Sequence, residues 1–419
     1  MNAGRRVIGG FAVMVLVVIA SAVSHGQTFT VLHNFSGSDG DQPFAGVTMD
    51  AHGNLYGTTE YGGNLSCDAG GVPGCGVVYK LSEMHSNWIL SVLYEFPGLN
   101  GYLPSDPGNI TIGPNGLPYG TQLFGGAFDG TLFELLPSPT AATSVNSPWM
   151  YHLVHEFGFG NDGAGPSQIT FDRAGNIFGA TVAGGTEGNG VVYELTPSGG
   201  AWTETILYNF LGGADGGEPG SITLDGSGNI YGSTVDGGNQ ECYNNLGCGT
   251  AYELSPSDSG WTKTILHVFE EATDGGEPGP VARDSAGNLF GLTRVGASGN
   301  GGTIWELSPS NGGWTFTVLY TFPGPTYFSG GPFRPVMDST GALYGANNWG
   351  GAFNFGSVYK LAPSNGHWIY TDLHDFGSQP NQQDGCYPHG PVALDAAGNI
   401  YGATQECGLG AGNVFEIAP

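Results

Sequence analysis

The 419-residue chain holds 77 glycines and 26 prolines, and only 11% of its residues are charged. This composition argues against a helical protein and suits many short strands joined by tight turns. Thirty-six acidic residues against nine basic ones give a formal charge of −27, which excludes nucleic acid and anionic membrane surfaces as partners.

Residues 1–26 read as a secretory signal peptide. Arg5 and Arg6 form a basic start, VIGGFAVMVLVVIASAV is an apolar run, and Ser24 and Gly26 place small residues just before Gln27. The run is short for a membrane span, and no later stretch is apolar enough to be one. Residues 27–419 are therefore expected to form one exported domain, extracellular or periplasmic and monomeric. Six cysteines in an exported chain imply disulfides. Their placement suggests Cys67–Cys75, Cys242–Cys248 and Cys386–Cys407. Metal thiolates are the alternative, but no Cys-x-x-Cys spacing is present.

One unit recurs seven times, marked by an aromatic-Gly pair: Tyr56-Gly57, Tyr119-Gly120, Phe178-Gly179, Tyr231-Gly232, Phe290-Gly291, Tyr344-Gly345 and Tyr401-Gly402. The glycines are spaced 53 to 63 residues apart, a period that signals propeller blades when it is made only of strands and turns. In chain order each copy reads as strand a (VTMD, 47–50), a D-x-x-G-N turn, strand b (LYGTT), a Gly-Gly loop, strand c (VVYKL, 77–81), a Ser-Pro-Ser type turn and strand d (WTETILYNF, 202–210). The mature chain opens with a lone d-type strand, 28–35, and ends after a, b and c of a last copy. The first strand is therefore expected to pair with the last three. The result is an all-β, seven-bladed propeller of four-stranded antiparallel blades with a closed ring. The c-strand aromatic and the d-strand Trp stand nine residues apart in five copies, Tyr193 and Trp202 among them, which suggests a repeated packing pair between blades.

The run V-L-Y-x-F, D-G-x-x-P, D-x-x-G-N-L-Y-G-T-T, G-G, G-x-V-Y-x-L resembles the GloVer tandem repeat of exported bacterial proteins, and it covers essentially all of 27–419. The resemblance implies a secreted repeat protein of undefined activity, often carrying a C-terminal sorting anchor. Here the sequence stops at Pro419 directly after strand c, with no sorting tail, a departure that leaves surface anchoring open. NHL-type and kelch propellers are similar only in architecture.

In a propeller the d-to-a and b-to-c loops share one face. Here they vary in length and hold all six cysteines, so binding is expected on that face. Asp39, Asp215, Asp274 and Asp384 recur in the d-to-a loops. A ring of such carboxylates would take Ca2+, the only cofactor the sequence suggests; the plainer reading is that each side chain bonds its own turn. His33, His155, His267 and His374 alternate with Tyr on strand d and read as structural. Residues that break the repeat are the better site candidates. For catalysis these are Glu187, Glu406, His389 and Arg294; for ligand binding they are Trp349, Tyr327, Asp236 and Glu60. Rings that stack on sugar faces, beside carboxylates that accept from hydroxyls, suit an extracellular glycan. A protein partner fits the same face. Two acids at the right separation would make a glycoside hydrolase or lyase instead, and a structural surface protein without a ligand is the third reading.

Overall fold

The computed structural model describes residues 27–69, 71–97, 108–123, 129–138, 149–158, 160–239, 242, 246–258, 260–298, 300–324 and 333–419. Residues 1–26, expected to be a signal peptide, and Tyr327 lie outside them. Seven antiparallel sheets form the ring, and they are the blades read from the repeat. Blade one runs Thr48–Met49, Leu55–Thr59, Val77–Met84, Asn87–Glu95, and blade four runs Thr223–Leu224, Ile230–Asp236, Thr250–Ser257, Gly260–Val268. Blade seven is built from both chain ends: Thr28–Asn34 lies antiparallel on Asn413–Ala418, from Thr28 opposite Ala418 to Asn34 opposite Asn413. That pairing closes the ring and removes an open sheet edge. No helix of the described residues is long and apolar enough to cross a membrane.

The aromatic-Gly pairs have a packing cause. In every blade the b-strand glycine lies opposite the c-strand aromatic: Gly57 with Tyr79, Gly120 with Phe133, Gly179 with Tyr193, Gly232 with Tyr252, Gly291 with Trp305, Gly345 with Tyr359 and Gly402 with Phe415. The ring lies flat over the glycine, and a Cβ on Gly232 would stand 2.5 Å from the Tyr252 hydroxyl. These c-strand aromatics are fully buried, because blades stack on both faces of the strand. Each meets a phenylalanine that ends strand d of the preceding blade, as in Phe35–Tyr79 at 5.1 Å, Phe157–Tyr193 at 5.1 Å and Phe210–Tyr252 at 5.2 Å. The d-strand tryptophans pack between blades too, but on a different partner from the one expected. Trp88 meets Tyr401, Trp314 meets Tyr231 and Trp368 meets Phe290, each the b-strand aromatic of the preceding blade. The c–d hairpin explains this: it puts Trp88 opposite Glu83 and Tyr79 opposite Val92, so the two rings sit at different heights.

The D-x-x-G-N turn forms as expected. Asp50 accepts from the His52 and Asn54 backbone N–H groups, both at 2.9 Å, and from the Asn54 amide at 2.7 Å. Three disulfides are present, Cys67–Cys75, Cys242–Cys248 and Cys386–Cys407.

Strand a departs from a simple strand. In blades three, four, five and seven it is interrupted, as where Ala164–Pro166 is followed by Thr170–Phe171. The upper segment ends on a proline, which has no N–H for the ladder. Residues in this interruption wall the central channel.

Candidate functional site

Two features of the variable half differ from blade to blade: the rim of the loop face and the channel below it.

The rim is built on one backbone device. In the residue before the strand-a proline, φ is positive even without glycine: 54° at Gln42, 53° at Glu218, 55° at Glu277 and 57° at Tyr387, with Gly165 at 68°. In each case its N–H bonds a b-to-c loop carbonyl of the preceding blade, as Glu218 to Asn189 at 3.1 Å, Glu277 to Cys248 at 3.0 Å and Tyr387 to Phe355 at 2.8 Å. These junctions lock adjacent blades together and hold a non-glycine side chain in an unfavourable backbone region, a trait associated with functional sites.

At blades six and seven the rim carries an aromatic platform. The Trp349 ring lies 4.6 Å from that of Tyr387, tilted by 43°, and Phe355 meets Tyr387 edge-on at 5.8 Å. Trp349 is 37% exposed and the nearby Phe353 is 49% exposed. Glu406, exposed, lies opposite Cys386 in the sheet. It acts on two neighbours: together with burial it raises the Tyr387 hydroxyl, and burial first, then Glu406, raises the Asp41 carboxyl above its ordinary value. Tyr387 and Glu406 each adjoin one cysteine of the Cys386–Cys407 disulfide, which ties the two together. The Glu60 N–H bonds the Gln42 carbonyl at 2.9 Å, on the same sector.

At blades four and five the rim carries charge instead. Arg294 contacts Glu277, whose side chain is only 6% exposed. Burial raises the carboxyls of Glu218 and Asp236; at Glu218 the Asp236 charge adds to the rise and Arg294 offsets it. Glu187 stands apart on an exposed loop of blade three, where its carbonyl accepts from Asn189. The sequence candidates thus fall into two groups, Trp349 with Glu406 and Arg294 with Asp236, and Glu187 joins neither. Tyr387, Asp41 and Glu277 were missed from sequence, although Tyr387 and Asp41 break the repeat in the stretch just before the strand-a proline and Glu277 shares its Gly-Gly-Glu-Pro-Gly only with Glu218.

The d-to-a aspartates are turn caps with a second partner. Asp39 accepts from the Ser36 N–H at 2.8 Å and pairs with His33 at 3.0 Å. Asp215 takes Leu211 N–H at 2.9 Å and the Tyr208 hydroxyl at 2.8 Å; Asp274 takes Glu270 N–H at 2.7 Å and pairs with His267 at 2.5 Å. Asp384 accepts from Ser378 N–H at 3.0 Å and pairs with His374 at 3.1 Å. Donors occupy these oxygens, and none of the four belongs to a three-ligand cluster among the described residues. The cluster that does form is His155, Asp162 and Glu204, with ligand atoms within 4.8 Å of one another. There burial, then Asp162, pushes the Glu204 carboxyl up to about 9. Hydrogen bonds from Glu204 and the Gly158 N–H hold Asp162 below its usual range despite burial.

The channel is a cavity of about 400 Å³ lined by all seven blades. The residue after each strand-a proline forms one ring, with Phe44, Ser167, Phe333 and His389 among its members. His389 is therefore a channel-wall residue, 3% exposed, with Nδ1 on the Phe44 carbonyl and its ring stacked on Phe44 at 3.8 Å. The next residue forms a second ring of Ala45, Asn109, Gln168, Ser221, Pro280 and Gly390, with Arg334 in the sixth blade. Arg334 reaches across the ring and donates from Nη2 to the Ile222 carbonyl at 2.8 Å. Burial lowers its pKa to about 10, which leaves it cationic at neutral pH.

Comparison with proteins of curated function finds no match. Among solved structures, the chain is similar to a catalytically inactive virginiamycin B lyase variant from Staphylococcus aureus crystallised with quinupristin. Identity is 15%, 94% of this chain and 99% of that chain are covered, and the TM-score is 0.58. It is also similar to the extracellular domain of a one-component system from B. thetaiotaomicron, with 13% identity, 94% and 42% covered, and a TM-score of 0.53. At these identities the likeness is one of fold. A family model described as the Gloeobacter/Verrucomicrobia repeat matches residues 146–322 and 242–419, and together these spans cover well over half of the sequence. The repeat read from the aromatic-Gly pairs is thus a known one, and the chain belongs to the Gloeobacter/Verrucomicrobia repeat family.

Proposed function

We propose that this protein is an exported binding module that recognises an extracellular glycan on the rim of blades six and seven. The observation that carries the reading is the tilted Trp349–Tyr387 ring pair, part exposed, beside the carboxylates of Glu406 and Asp41. Aromatic faces stack on the apolar faces of sugars, and carboxylates accept hydrogen bonds from their hydroxyls. The disulfide and the strained backbone at Tyr387 hold this platform before any ligand arrives, which lowers the ordering cost of binding. The disulfides also suit an oxidising compartment, in line with the signal-like residues 1–26.

Asp41 and Glu406 support a second reading. A pair of neighbouring carboxyls, one of them raised by burial and by the charge of the other, is what acid-base glycoside cleavage requires. A glycan array on the purified protein, followed by a reducing-end assay on each array-positive glycan, separates the two. Binding without release of reducing ends supports the module. Release that is abolished in Glu406→Gln and Asp41→Asn supports the hydrolase. Absence of binding to any glycan contradicts both.

A further inference from the structure

The channel carries a separate chemistry that does not depend on the rim. Two of the nine basic residues lie in segment 1–26, so a cation is scarce in residues 27–419. Most of the others have an evident use. Lys263 pairs with Asp215, Arg294 with Glu277, and Lys80, Lys360 and Arg283 stand over tyrosine rings. Arg334 differs. Among the described residues its one hydrogen-bond acceptor is the Ile222 carbonyl, and its Nε is buried without a partner there. No carboxylate faces it among the described residues that line the channel. In the equivalent position the other blades place only neutral residues, so neither the repeat nor blade packing requires a cation there.

Removing a charge from water without a counter-charge costs several kcal/mol, and a buried N–H without an acceptor adds to that. The wall around Arg334 is otherwise largely apolar: Phe44, Phe333, Leu123, Val182 and Val235 line the same cavity, whose 400 Å³ suits one small molecule. We propose that the channel binds a small amphiphilic carboxylate, with its anionic head on the Arg334 guanidinium and its apolar body against these side chains. Arginine suits the task because its planar fork matches a carboxylate, and the bond to Ile222 already sets its orientation. A protein of net charge −27 repels anions at long range, so selective capture of one needs a local cation of this kind.

The test is calorimetric titration of the whole protein with sodium benzoate and sodium phenylacetate, and with neutral benzamide. The expected result is saturable binding of at least one carboxylate, binding of benzamide at least tenfold weaker, and a tenfold or greater loss in Arg334→Gln. Glu187→Gln, on an exposed loop, should bind like wild type. If Arg334→Gln fails to fold, Ser221→Val narrows the same ring without touching the charge and should weaken binding equally. Wild type that binds neither carboxylate, or Arg334→Gln or Ser221→Val protein that binds as wild type does, would overturn the proposal.

Discussion

The buried aromatic layer and the channel ring sit in the same seven-blade frame, yet they follow opposite rules. In the layer every blade repeats one solution: a c-strand ring on a b-strand glycine, met edge-on by a phenylalanine from the blade before. In the ring one position holds Ala45, Asn109, Gln168, Ser221, Pro280, Gly390 or Arg334. A position touched on all sides by protein tolerates one shape, because interiors are packed like crystals. A position facing a lumen is free to differ, and so it is where a ligand can be served.

Substitutions in the layer should break that contrast hardest. Phe210 is fully buried against Tyr252, and Phe210→Ala should lower unfolding stability by about 3–5 kcal/mol, measured by chemical denaturation. Gly232→Ala puts a Cβ 2.5 Å from the Tyr252 hydroxyl and should cost about 1–3 kcal/mol through overpacking. An effect below about 0.5 kcal/mol for either would mean that the layer is not the constraint described here.

A smaller effect separates the blade junctions. At most junctions strand d contacts the next strand d through rings, as in Tyr320–Tyr370 at 4.2 Å and His267–Phe316 at 3.8 Å. Between blades two and three the same place holds His155 and Glu204, 3.7 Å apart. Glu204 is held protonated in the folded state, with its carboxyl raised from 4.5 to about 9. Its contribution is therefore full below pH 4.5, shrinks as pH rises, and is gone near pH 9. Asp162, held low, works in the other direction: its contribution is full above its ordinary value of 3.8 and is lost as pH falls below it. Glu204→Gln keeps the neutral shape, so thermal melts should show a flatter decline above pH 4.5 and a Tm higher by roughly 2 °C or more at pH 8. Parallel wild-type and variant curves would show that Glu204 is ionised in the native protein.

The fold was readable because its signals are local and repeated. Aromatic-Gly pairs, D-x-x-G-N turns and the lone opening strand 28–35 each reflect a contact repeated from blade to blade or a ring that must close. The site was only partly readable. Trp349 and Glu406 stand out because they break the repeat, but Tyr387, which joins them, needed the register that places Cys386 opposite Glu406. Arg334 also breaks its repeat position. Its meaning lies in what surrounds it in the ring, and no spacing in the chain reveals that a residue beside a proline faces a channel shared with six other blades. His389 shows the same limit: its loop suggested the surface, and the structure puts it in the channel wall.

We place glycan binding where blades six and seven depart from the repeat. The direct measurement is calorimetric titration of an array-positive glycan into wild type, Trp349→Ala and Glu187→Gln. All three should melt alike, since both side chains are partly or fully exposed. Trp349→Ala should lose at least tenfold in affinity and Glu187→Gln none; full affinity in Trp349→Ala would rule out binding at this rim.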